Sequence, residues 1–256
     1  MDWKKASISI KRHLNLATDP MAVKMLESTL SMMDIKGLRQ LKDTAPCHMA
    51  TWARYYREDG IVGASVEGVK CVWGAACLGM IKSPERFKEG YVTMPFAKDS
   101  EAGKRMVSAL GVLGDERKLF DALVMAPLDL TPLEPEVVVI YLTPGQALRL
   151  IIAYAHERGE EVRSNITGQA SLCSSIAHAF REKSMVVDIP CIGDRRYGLV
   201  QDQEMLVAFH ASRTEQILEG LRATEGFASH PFRPFVQWQV IFPPDMEPRR
   251  TELGWE

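Results

Sequence analysis

The alternation of apolar and polar positions divides the chain into strand-like and helix-like segments. Four short runs are rich in β-branched, aromatic and other apolar residues: "AVKML" from Ala22, "LFDALVMAPL" from Leu119, "EVVVIYL" from Glu136 and "EMLVAFH" from Glu204. Their length and composition predict strands. Two longer segments, Thr44 to Gly60 "TAPCHMATWARYYREDG" and Thr143 to Gly159 "TPGQALRLIIAYAHERG", align without a gap and predict helices of similar length. Each starts at a Thr whose hydroxyl can accept from the free N–H groups of a first turn. The second adds Pro144 and Gln146, which approximates a capping box. Each closes on Glu, a second charged residue and then Gly60 or Gly159, the residue type suited to a left-handed helix stop.

The match between the two segments extends into a weak internal repeat. "EGVKCVWGAA" corresponds to "GQASLCSSIA", and a three-residue insertion sets Cys71 on Cys173, each near the start of a helix of small residues. Further on, "YVTMPF" (91–96) resembles "VVDIPC", so that Phe96 stands opposite Cys191. The expected fold is therefore α/β (α+β), with two pseudo-twofold-related halves, 1–130 and 131–228, forming one compact domain. The stretch "KDSEAGKRMVSALGVLGDER" has no counterpart in the second half. A C-terminal extension, 229–256, alternates Val236, Trp238, Val240 and Phe242 between prolines. It is expected to cap the core or to lie across a second subunit, as in a homodimer.

Composition narrows the function class. With 256 residues, 46% hydrophobic and 25% charged, the chain reads as an ordinary globular protein with room for a sizeable core. A net charge of −2 leaves no basic footprint for nucleic acid or for an acidic membrane surface. No apolar run approaches the roughly 20 residues of a bilayer span. The opening "MDWKKASISIKRHL" lacks the apolar stretch of a signal peptide. A cytoplasmic location is the expectation. Five cysteines, an odd number without dense spacing, do not form a secreted disulfide framework.

Those cysteines carry most of the candidate chemistry. Cys47 falls in the first turn of its helix, and Cys71 and Cys173 near the starts of theirs, where the macrodipole favours a thiolate. Cys191 follows a strand and opens the glycine-containing loop "IGDRRYG". If two halves meet at an axis, Cys71 and Cys173 approach from opposite sides, and Cys47 and Cys191 complete a four-thiolate set. Four thiolates suit an iron–sulfur cluster or zinc, although no C-x2-C pair is present and cysteine is often simply buried. Cys77, six residues past Cys71, matches Ala179 and reads as packing. His48 and His178 adjoin the cysteines, but lone histidines are more often structural. Arg195 or Arg196 could grip a carboxylate or phosphate, with Arg195 and Tyr197 favoured by nearness to Cys191; pairing with Asp194 or Asp202 is the bland alternative. No phosphate loop, dinucleotide fingerprint or nucleophile elbow occurs.

Over most of its length the chain resembles the DUF169 family of uncharacterised bacterial and archaeal proteins. The resemblance rests on "DPMAVKML", on Cys47 in a helix ending at Gly60, and on "CVWGAACLG", "TPGQALRLIIAY", "GQASLC" and "CIGDRRY" followed by "DQEMLVAF". It implies similarity at Cys47, Cys71, Cys173 and Cys191 and at an Arg-x-Tyr after the last cysteine, and it names no reaction. Together these features predict a redox protein with a [4Fe-4S] cluster held by those four cysteines. Arg195, Tyr197 and His48 are the candidates to orient a small anionic substrate or serve a redox partner. The alternatives are a structural-zinc or metal-free binding module for a small anion or a protein partner, and a thiol-dependent enzyme using Cys47 or Cys71.

Overall fold

A computed structural model describes residues 1–94, 96–162, 164 and 166–231. The alternating extension 229–256 therefore lies largely outside the described residues. The first part of the chain runs α1 (Trp3–Leu14), β1 (Met21–Leu26), α2 (Thr29–Met33), β2 (Arg39–Gln40), α3 (Pro46–Tyr55), β3 (Val62–Ser65) and α4 (Val72–Cys77). Then come α5 (Glu85–Lys88), α6 (Ser100–Ser108), β4 (Ala122–Pro127), β5 (Val137–Leu142) and α7 (Pro144–Ala155). The rest is α8 (Ser171–Glu182), β6 (Met185–Asp188), α9 (Ile192–Tyr197), β7 (Met205–His210), α10 (Thr214–Ala223) and α11 (Glu225–Ala228).

Among the described residues seven strands make one sheet in the order β2-β3-β4-β1-β5-β7-β6. It is antiparallel except for the β2–β3 pair. All four runs read as strands from the sequence are in it. The run Val137–Leu142 is buried along its whole length because both faces of the sheet are covered. Val137, Val139 and Tyr141 enter a core shared with α3, α4 and α8, and Val138, Ile140 and Leu142 enter one shared with α1, α7 and α10.

These two cores correct the expected symmetry. A twofold relating the adjacent antiparallel strands β1 and β5 runs perpendicular to the sheet and keeps each element on its own face. The aligned helices α3 and α7 instead lie on opposite faces. What stands is one mixed α/β domain around a seven-stranded sheet.

The helix starts differ for a reason already visible in the residues. Proline is best placed at the first helical position. Pro144 directly follows Thr143, so Thr143 becomes the N-cap. Its N–H donates to Gln146 Oε1 at 2.7 Å and its Oγ1 accepts from Gln146 N at 3.5 Å, completing the capping box. Pro46 stands one residue further from Thr44, so Ala45 is the N-cap of α3 and Thr44 is left outside the helix. The Thr44 hydroxyl pairs with His48 Nδ1 at 3.0 Å. The stops differ as well. Gly159 is left-handed as expected (φ +63°). Gly60 ends a 3-10 turn, and there a Cβ would lie 2.9 Å from the Trp52 carbonyl oxygen. "YVTMPF" does not form the strand its counterpart forms; Tyr91–Thr93 is a 3-10 turn after left-handed Gly90.

The unmatched middle stretch supplies α6, which with α5 packs outside α4 through Phe87, Val107 and Leu110. On the opposite face α10 lies close on α7. A Cβ at Gly220 would come 2.0 Å from the Ala153 carbonyl oxygen, a backbone atom that cannot turn aside. Gly220→Ala is expected to destabilise the domain by about 1–3 kcal/mol through overpacking. Urea unfolding reads this directly, and a variant as stable as the parent would show the helices free to separate.

Candidate functional site

Four helix starts converge on one side of the sheet around a pocket of about 280 Å³. The start of α3 contributes Ala45, Pro46 and Cys47, and that of α4 Cys71 and Trp73. Gly168 to Ala170 lead into Leu172 and Cys173 of α8, and α9 adds Cys191 to Asp194, Arg196 and Tyr197; Phe96 closes one edge. Cys47 is the second residue of α3, Cys173 the third of α8, and Cys71 and Cys191 are the N-caps of α4 and α9.

The local chemistry explains this convergence. Gly74 lets α4 press on the start of α3, since a Cβ there would sit 2.6 Å from Pro46 Cγ. Cys71 Sγ accepts from Gly74 N at 3.5 Å, capping the short helix. "IGDRRYG", read from sequence as a loop, is the helix α9. It forms because Asp194 is buried and accepts from the Ser171 hydroxyl. Ser171 Oγ in turn accepts from Cys191 N at 2.8 Å. Thr51 of α3 donates to the Tyr197 carbonyl at 2.9 Å and Arg54 to that of Gly198 at 3.4 Å. Arg54 is buried, pairs with Glu204 and lies 4.3 Å over the Tyr141 ring.

Burial governs the electrostatics. It pushes the Cys47 thiol up, with the Asp194 charge adding to the effect. The same two causes raise Cys191. Cys173 is also raised, by burial first and then by neighbouring Cys77. Burial raises Asp194 too, against the hydrogen bonds from Ser171 and the backbone. The thiols of Cys47, Cys173 and Cys191 are therefore protonated at neutral pH. Expecting thiolates at these helix starts overlooked desolvation, which outweighs the dipole in a closed site.

This overturns the cluster reading. Among the described residues no group of three or more His, Cys, Asp or Glu is arranged to hold a metal ion. The four thiols line the pocket from the starts of α3, α4, α8 and α9. Neither a [4Fe-4S] cluster nor zinc fits this donor set, and the redox role that depended on the cluster falls with it.

The other sequence candidates separate. Cys77 is fully buried in the core, as its match to Ala179 suggests. His48 is exposed and turned to Thr44 and Trp52. His178 lies beside Glu182 in a different, polar cleft. Arg195 pairs with Asp202 at 3.0 Å and does not line the pocket. Its neighbour Arg196 does, while Tyr197 lines it from a half-exposed position.

Several site residues were not singled out from sequence: Gln169, Ser171, Asp194, Trp73, Tyr141 and Arg54. Gln169 and Ser171 sit inside "GQASLC" and Asp194 inside "CIGDRR", beside the cysteines that mark those motifs. Gln169 is 8% exposed, and among the described residues neither its amide oxygen nor its amide nitrogen has a partner.

The family model described as "Uncharacterised ArCR" (DUF169) matches residues 9–220. The chain belongs to the DUF169 family. An uncharacterized protein of Methanocaldococcus jannaschii is 31% identical to it over 179 residues, covering 68% of this chain and 75% of that one. No solved structure matches. All the pocket's cysteines fall inside the DUF169 match, which brings no activity with it. No helix among the described residues is long and apolar enough to cross a membrane.

Proposed function

We propose that the pocket is a metal-free binding site for a small organic anion with an apolar body. The observation that carries this reading is Gln169, whose buried amide lacks any partner at the pocket wall. A buried amide left unpaired costs about 1–3 kcal/mol, a deficit that a bound polar group offsets. The walls suit an apolar body: Trp73, Phe96, Leu172 and Ile192 line them together with the neutral thiols of Cys47, Cys173 and Cys191. At the mouth Arg196 is exposed and has no ion pair or hydrogen bond among the described residues, so its planar fork is available to a carboxylate.

Calorimetric titration with benzoate and with its neutral isostere benzamide tests the reading. Benzoate is expected to bind roughly tenfold more tightly than benzamide, the value of one charge-assisted contact. Arg196→Gln should remove that preference and Gln169→Leu should weaken both ligands. Absence of heat with either compound, or equal affinity for the two, would sink the proposal.

A further inference from the structure

Cys47 and Cys191 come from different helices and border the same small space. A Cβ built on Gly193 would lie 3.5 Å from Cys191 Sγ and 3.8 Å from Cys47 Sγ. Glycine at 193 leaves that space without a side chain. All five cysteines are free thiols. Cys191 is half-buried at the pocket wall, where it stands as N-cap of α9. Cys47 is buried. Cys173 Sγ and Cys71 Sγ instead lie by Gly74, 3.5 Å from the Cβ built there and 3.5 Å from its N respectively. Cys77 is enclosed in the core.

Resting on the reading of this pocket as a ligand site, we infer that Cys47 and Cys191 form a reversible disulfide by exchange with a small-molecule disulfide, and that the bond shuts the ligand out. The more accessible Cys191 gives up its proton and attacks, as thiolate, one sulfur of the small disulfide RSSR; burial of the thiol makes this step slow at neutral pH and faster as pH rises. The S–S bond of RSSR breaks, Cys191 carries a mixed disulfide, and the first RS group leaves with the proton that Cys191 gave up. Cys47 then attacks the Cys191 sulfur, which forms the intrachain bond and expels the second RS group with the proton of Cys47. Two protein thiols are oxidised and one small disulfide is reduced to two thiols, with no further oxidant required. A sulfur–sulfur bond spans about 2 Å, so closing it draws the α3 and α9 walls together across the pocket.

The test uses the full chain, reduced with dithiothreitol, desalted and incubated with oxidised glutathione at mildly alkaline pH, where more of each thiol is ionised. Thiol titration under denaturing conditions is expected to fall from five per chain to about three, with peptide mass mapping linking residues 47 and 191. Cys191→Ser should lose no pair of thiols, whereas Cys77→Ser should still lose two. Benzoate binding should vanish on oxidation and return with dithiothreitol. A lasting mixed disulfide, a different cysteine pair, or benzoate affinity unchanged after the 47–191 bond forms would each overturn the inference. If the reduced chain fails to bind benzoate, the ligand reading falls, while the thiol count still decides whether the disulfide forms.

Discussion

Glu204→Leu is expected to destabilise the protein by about 3–5 kcal/mol, the typical cost of leaving a buried charge without its partner. For a chain of this size that corresponds to a drop of roughly 10 °C in Tm. The Arg54 side chain is fully buried, and Glu204 is the carboxylate that neutralises it. Its remaining contacts are the Gly198 carbonyl and the faces of Tyr55 and Tyr141. None of these can replace a negative charge. Its Nε already lacks a partner, so the site has no spare acceptor. The double variant Arg54→Met with Glu204→Leu removes both charges and keeps the volume, and it should regain most of the loss. Thermal unfolding followed by circular dichroism reads both. A single variant melting within about 2 °C of the parent would show that solvent reaches Arg54. Because Arg54 also holds the end of α9 against α3, the single variant should loosen the wall that carries Arg196 and Tyr197.

Asp188→Asn should act in the opposite direction and do so as a function of pH. Burial raises the Asp188 carboxyl to about 6 from its ordinary 3.8. Its bonds are the Ile189 N–H at 2.7 Å and the distant Ser175 hydroxyl at 3.5 Å. A carboxyl whose folded value is raised binds its proton more tightly in the folded chain. Its ionisation costs nothing below about 4 and destabilises the fold progressively as pH rises through 6. At 1.36 kcal/mol per unit the full cost above pH 7 is about 3 kcal/mol. Asparagine has the same shape and can keep the Ile189 bond without ever ionising. Urea unfolding at a series of pH values should find the variant and the parent alike near pH 4. The variant should gain towards about 3 kcal/mol by pH 7.5. A difference that stays flat with pH would mean that Asp188 ionises as freely in the folded chain as in the unfolded one.

Much of the local structure was legible because it depends on neighbours in sequence. The strand runs around Val23, Val124, Val138 and Val207 declare themselves by branched apolar residues, and the α7 capping box by Thr143, Pro144 and Gln146. The different start of α3 was also present in the residues, since Pro46 is displaced by one position from Thr44. The repeat misled where face mattered. Two amphipathic helices can share caps and length and still cover opposite sides of a sheet, because the sequence of a helix does not say which face of the sheet it meets.

The candidate site divides in the same way. Sequence by itself pointed to part of the pocket: Cys47, Cys71 and Cys173 at helix starts, Cys191 after a strand, and the arginine-tyrosine stretch that follows it. Tertiary structure alone decided their chemical state. Enclosure by α3, α4, α8 and α9 desolvates the thiols and keeps those of Cys47, Cys173 and Cys191 protonated, against the thiolates that helix starts favour in water. It also selected Arg196 over Arg195, which Asp202 engages, and left Gln169 unpaired beside the cavity. The physical reason is that burial and partner choice are set by residues far apart in the chain, whereas propensity and capping are set within a single turn.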